Sequence, residues 1–256
     1  MEPKAEGTSK LGRGLRVVAF VGSAFAAAAI LRETWRNPAV GIVVLTLIGS
    51  YFVWRWWSHR KLVVTLKRGD VASAISQWSG SLENIPHPET MAPLMTATAL
   101  AAFGRVDEAR ATLAVAVRGP AWEAALEHRL FVDVLLSTFE GDVETAKSQA
   151  ARLAVLPMPA APGMKQRVSL LREATEALTR AFSHEARPGD LARLEAASAS
   201  SPLVHWAMRY GAAIVAVDGG DSQKAKALLE GAPEWPKEST FRSFHREISS
   251  MLAARV

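Results

Sequence analysis

The chain has 256 residues, thirty Lys/Arg against twenty-five Asp/Glu, and no cysteine. Without cysteine there is no disulfide framework, no thiol nucleophile and no cysteine-ligated zinc. The positive excess is confined to residues 1–61, where nine basic side chains meet three acidic ones. Residues 62–256 carry a net −1, without the positive excess by which a nucleic-acid-binding domain normally shows its basic face.

The first predicted elements are two apolar stretches, Val17–Leu31 and Ala39–Trp54, neither containing a charged residue. They read as the arms of a transmembrane helical hairpin, about 15–32 and 38–57, inside a membrane anchor spanning 1–61. Each run is short, since fifteen or sixteen helical residues rise only about 23–24 Å against a hydrocarbon core of roughly 30 Å. Flanking cations extend them by snorkelling, and tryptophan suits the headgroup layer. Arg16, Arg32, Trp35, Arg36, Trp54, Arg55, Trp56, Trp57, Arg60 and Lys61 are the expected interface anchors. The turn Arg32–Pro38 is far less basic than the two outer flanks, so the positive-inside rule puts both termini in the cytoplasm of a bacterial-type inner membrane. Two other readings stay open at this level. The runs suit buried helices of a globular domain, or the first suits a cleaved signal peptide, with Ala24, Ala26 and Ala28 as small-residue positions.

Beyond residue 61 one pattern recurs: a glycine, usually an aspartate, then alanine five residues after the glycine. The copies are Gly69-Asp70…Ala74, Gly104-Arg105…Ala109, Gly141-Asp142…Ala146 and Gly220-Asp221…Ala225, with a weaker one at Gly189-Asp190…Leu194. Successive glycines lie 35, 37, 48 and 31 residues apart, a period that indicates stacked helical hairpins. Glycine ends a helix in the left-handed region, aspartate caps the next helix, and alanine lets two helices approach. Prolines at 86, 88, 120, 157–162, 202, 233 and 236 punctuate the junctions.

These features, carried by ALAAFGRVDEARATL (Ala99–Leu113), STFEGDVETAKSQA (Ser137–Ala150) and AVDGGDSQKAKALL (Ala216–Leu229), resemble the tetratricopeptide-repeat family. The resemblance covers most of 62–256. It departs from the family in lacking large aromatics early in each first helix and in the poor fit of Pro157–Pro202. A membrane hairpin leading into such repeats is also similar in layout to HemY-type bacterial inner-membrane proteins. The expected fold is all-α: a transmembrane hairpin followed by a repeat domain over 62–256. It ends in a capping helix at about 238–254, where Phe241, Phe244, Ile248 and Leu252 share one face.

The inventory for chemistry is thin. Six histidines show no metal-ligand spacing, and neither a phosphate loop nor a nucleophile elbow is present. His205 beside Trp206 reads as a packing residue. Glu123 and Glu127 read as a solvated face, and Arg167, Arg172, Arg180, Arg187 and Arg193, interleaved with glutamates, as a salt-bridged surface. The expectation is a non-enzymatic membrane scaffold without catalytic residue, cofactor or metal, and with no nucleic-acid partner. Its partners are the lipid bilayer and proteins held in a groove of the repeats, or further copies of the chain. The alternative is an accessory or assembly subunit of an integral membrane complex, contacted chiefly through the hairpin.

Overall fold

The computed structural model describes residues 37–254 together with Arg32 and Trp35. Its contacts divide the chain into two units, Met1–Lys61 and Leu62–Val256. Among the described residues every regular element is a helix and none is a strand, so the all-α expectation holds at the level of class.

Helix α1 (Pro38–Lys67) starts at a proline, whose fixed φ and missing N–H suit a first helical position. The Asn37 carboxamide oxygen accepts from the Ala39 N–H at 3.1 Å and closes that end. From Ile42 to Trp57 its large apolar side chains are exposed, except Val44, which is half-buried. The second expected span lies inside this helix. Even so, among the described residues no helix is long and apolar enough to cross a membrane. The charge-free run of α1 rises only about 24 Å before Arg55 interrupts it, short of the roughly 30 Å core. The transmembrane hairpin is therefore not seen. Its first arm, with Arg16 and Arg36, lies outside the described residues.

Unit 2 takes the last residues of α1 and then α2 (Val71–Leu82), α3 (Pro88–Ala102), α4 (Val106–Ala114), the short α5 (Pro120–Ala124), α6 (Leu126–Glu140) and α7 (Val143–Ala154). It continues with α8 (Pro162–Phe182), α9 (Asp190–Ser200), α10 (His205–Asp218), α11 (Ser222–Leu229) and α12 (Phe241–Ala254). The pairs α3/α4, α6/α7, α8/α9 and α10/α11 pack as hairpins. The first helix of each also packs on the first helix of the next, giving a row α3, α6, α8, α10. That row is the core. Leu94, Leu135, Leu178, Met208 and Tyr210 are all fully buried in it.

The turns carry local signals. Gly69, Gly104, Gly141, Gly189 and Gly220 all have positive φ. Asp70, Asp142 and Asp221 each accept a backbone N–H three residues on, from Ser73, Thr145 and Lys224 at 2.9–3.2 Å. Ala74, Ala109, Ala146 and Ala225 are buried one turn later. Asp190 behaves differently. It is fully buried, and a bidentate bond from Arg180 (2.7 and 2.8 Å) and the Arg187 N–H meet its carboxylate. Burial alone would raise its pKa, but those bonds and the charges of Arg180 and Arg193 outweigh it and hold the carboxyl below its ordinary value. Proline opens α3, α5 and α8. Pro93 lies inside α3, where it cannot donate to the Glu89 carbonyl, and the Val117 N–H takes that acceptor instead at 3.2 Å.

Candidate functional site

The segment after α11 determines which surfaces of unit 2 remain free. Proline at 233 and 236 keeps it from forming a helix, and Trp235 between them is buried. Its indole N–H donates to the Tyr210 hydroxyl at 2.6 Å, and that hydroxyl lies 3.1 Å from His245 Nδ1. The Ser239 hydroxyl donates to the Phe103 carbonyl at 2.7 Å, and the Thr240 N–H to the Gly104 carbonyl at 2.9 Å. Phe241 then packs edge-on against Phe139 and Trp235, with centroids 5.2 and 5.0 Å away, and lies 4.9 Å from Tyr210. The tail thus runs back past Gly69 and Gly104, where a β-carbon would sit 2.6 Å from Pro233 and 2.7 Å from Thr240 respectively. Glycine at these two turns serves both the positive φ and the close approach.

Helix α12 packs on α10 and α11, covering the last hairpin, and also reaches α6 through Phe241. The chain's own tail therefore covers part of the surface that the hairpins would otherwise present. Among the concavities that stay open is one of about 330 Å³ at the end of the helix row. Its walls are Phe139 and Phe182 from the ends of α6 and α8, Ile214 and Val217 from α10, and Phe244, Ile248 and Met251 from α12. The three phenylalanines touch one another at centroid distances of 5.0–6.1 Å. At one wall Thr138 is only 5% exposed, and its hydroxyl oxygen has no hydrogen-bond partner among the described residues.

The rim is acidic. Glu140 is held in a bidentate pair by Arg110 at 2.7 and 2.9 Å. Asp218 is met by His184 Nδ1 at 2.9 Å, with His184 in the left-handed region at φ 55°. Glu247 has no charged partner among the described residues. Helices α6, α8 and α10 all end here, so their dipoles add partial negative charge to the same rim.

Other expected features fall elsewhere. The Gly-Asp-Ala positions form turns and helix packing and do not converge on a site. Arg180 and Arg193 pair with Glu176 and Glu173 at 3.8 and 3.5 Å, as a salt-bridged surface requires, but Arg172 departs from that reading, being only 3% exposed. It donates to Glu127 and to the Leu156 and Pro157 carbonyls, tying the loop after α7 to α8 and drawing Glu127 out of a purely solvated face. His205 is buried, with Nδ1 2.9 Å from the Ser198 carbonyl. Trp35, Trp54, Trp56 and Trp57 are exposed, and Arg60 and Lys61 lie over the rings of Trp56 and Trp57 at 4.4 and 4.0 Å. Arg32 and Arg55 are exposed as well. Among the described residues no group of three or more histidine or acidic side chains is placed to hold a metal ion. Sequence reasoning expected the capping helix, seen at Phe241–Ala254, but missed the course of the loop before it and the pocket. Tryptophan between two prolines was the available signal, because so large a ring in a loop has to be covered by something. No known family, curated protein or solved structure matches the chain.

Proposed function

We propose that this chain is a non-enzymatic, membrane-anchored adaptor of tetratricopeptide-like type, held at a bacterial inner membrane by its N-terminal part with the helical hairpins on the cytoplasmic side. The observation that carries it is the bare apolar surface of α1. Leu45, Leu47, Phe52, Val53 and Trp54 are all more than 60% exposed. A helix apolar around its whole circumference needs lipid or protein cover. The adjoining arginines and tryptophans are the residue types that settle at a membrane interface. Hairpins whose first helices stack in a row suit a scaffold that presents a surface to other proteins.

The test is extraction of native membranes with alkaline carbonate, followed by crosslinking and mass spectrometry in mild detergent. Retention in the pellet together with a reproducible protein partner is expected. Release into the supernatant, or recovery of the chain alone, defeats the reading. The same exposed helix favours a second reading, an accessory subunit contacted through its anchor. Replacing 1–61 by an unrelated anchor separates the two, since retained partner binding favours the hairpins and lost binding favours the anchor.

A further inference from the structure

The pocket between α6, α8, α10 and α12 is an apolar concavity that the tail leaves uncovered, and its chemistry specifies an occupant. Resting on the adaptor reading above, we propose that this pocket is the partner-binding site, and that it takes a large apolar side chain of a protein segment whose neighbouring residues are lysine or arginine. About 330 Å³ lies at the low end of ligand cavities, enough for one bulky side chain. The aromatic wall of Phe139, Phe182 and Phe244 supplies the contact area for it.

Three features set the charge of the flanks. Among the described residues Glu247 stands at the rim with no cation of its own and Asp218 pairs only with the exposed His184, and three helix C-termini point their partial negative charge the same way. An acidic segment would meet repulsion from each of them, whereas a basic one completes Glu247. Two further features fit a polypeptide occupant. A β-carbon at Gly141 would touch nothing within 4 Å, so a backbone can pass over that turn. Met251, at the exposed edge, is the adaptable kind of wall used at peptide-binding surfaces. The buried, unpaired Thr138 hydroxyl in the wall is a polar group that protein packing alone has not satisfied.

The experiment uses the full chain in phosphatidylcholine nanodiscs, whose neutral lipid does not itself attract basic peptides. Fluorescence polarisation follows a short labelled peptide carrying one phenylalanine flanked by lysines. Matched peptides have glutamate for lysine, or alanine for phenylalanine. The phenylalanine–lysine peptide should bind at least about tenfold tighter than either relative. Glu247→Lys should abolish that preference and let the glutamate peptide bind better than the lysine one. This rescue by charge reversal holds only in a folded protein. Ile214→Trp, which fills the cavity, should remove binding of all three.

Equal binding of the basic and acidic peptides overturns the proposal, as does unchanged affinity in Glu247→Lys. A change of oligomeric state in that variant instead of altered peptide binding also overturns it, by assigning the pocket to a second copy. Preferential binding of phenylpropylammonium over the lysine peptide overturns it in favour of a small amphiphile. If crosslinking from membranes captures a partner equally well with Glu247→Lys, the pocket proposal falls and the adaptor reading stands. If the peptide preference holds but no partner is ever captured, the adaptor reading falls alone.

Discussion

Helices α1 and α10 have similar apolar character and opposite surroundings. In α10 the side chains of Trp206, Met208, Tyr210, Ala213 and Val217 are buried against α8, α9, α11 and α12. In α1 the run from Ile42 to Trp57 is exposed at every large apolar side chain but Val44. One helix has its cover within the chain, and the other displays apolar surface that water does not tolerate in such quantity. The difference locates the work of each. Substitutions in α10 act on folding, whereas those in the exposed part of α1 act on whatever covers it.

The sharpest way to break this comparison is Tyr210→Ala. It removes a fully buried ring and leaves the Trp235 N–H without its acceptor, so a loss of about 3–5 kcal/mol is expected in denaturant titration of the full chain. Next comes Gly211→Ala, whose β-carbon would lie 2.7 Å from the Leu178 Cδ1 where α10 meets α8. Overpacking there should cost about 1–3 kcal/mol, against the gain a helix normally draws from alanine. No loss of stability would mean that Leu178 can step aside, and that α10 is less tightly held than its burial suggests.

A smaller effect comes from His205 at the start of α10. Burial holds its imidazole below its ordinary value; the bond to the Ser198 carbonyl opposes this, and Arg209 and Lys67 reinforce it. The unfolded chain then binds a proton that the folded chain refuses. Stability is therefore complete above about 6.5 and falls as pH drops below it. His205→Gln should flatten that limb of the stability–pH curve, and an unchanged curve would assign the titration to another group. The smallest effect on folding should come from Leu47→Lys, within about 0.5 kcal/mol, while its retention in alkaline-washed membranes drops. Clear destabilisation would show that Leu47 has a protein neighbour, and the contrast with α10 would fail.

Some of this was legible in the residues. Helical class follows from apolar spacing and from punctuation, because glycine's access to positive φ and an aspartate's bond to an N–H three residues ahead are events within a few residues of one another. Thus Gly141-Asp142 is the same turn wherever the two helices later pack. Arg172 and Asp190 were not legible in this way. Both are charged residues in polar stretches, and only the approach of Glu127, the Leu156 and Pro157 carbonyls and Arg180 turns them into buried structural groups.

The sequence by itself determined that the chain is helical, that its positive excess is confined to the first 61 residues, and that an apolar helix there needs a cover. Those properties depend on composition and short-range geometry. Only the tertiary structure decided that Trp235 and Phe241 bring the tail back across the helix row, and that Phe139, Phe182 and Phe244 enclose an acid-rimmed pocket. Phe103 and Ser239 are 136 residues apart and still share a hydrogen bond. Contacts over such distances arise from the summed burial of many side chains, which no local pattern along the chain encodes.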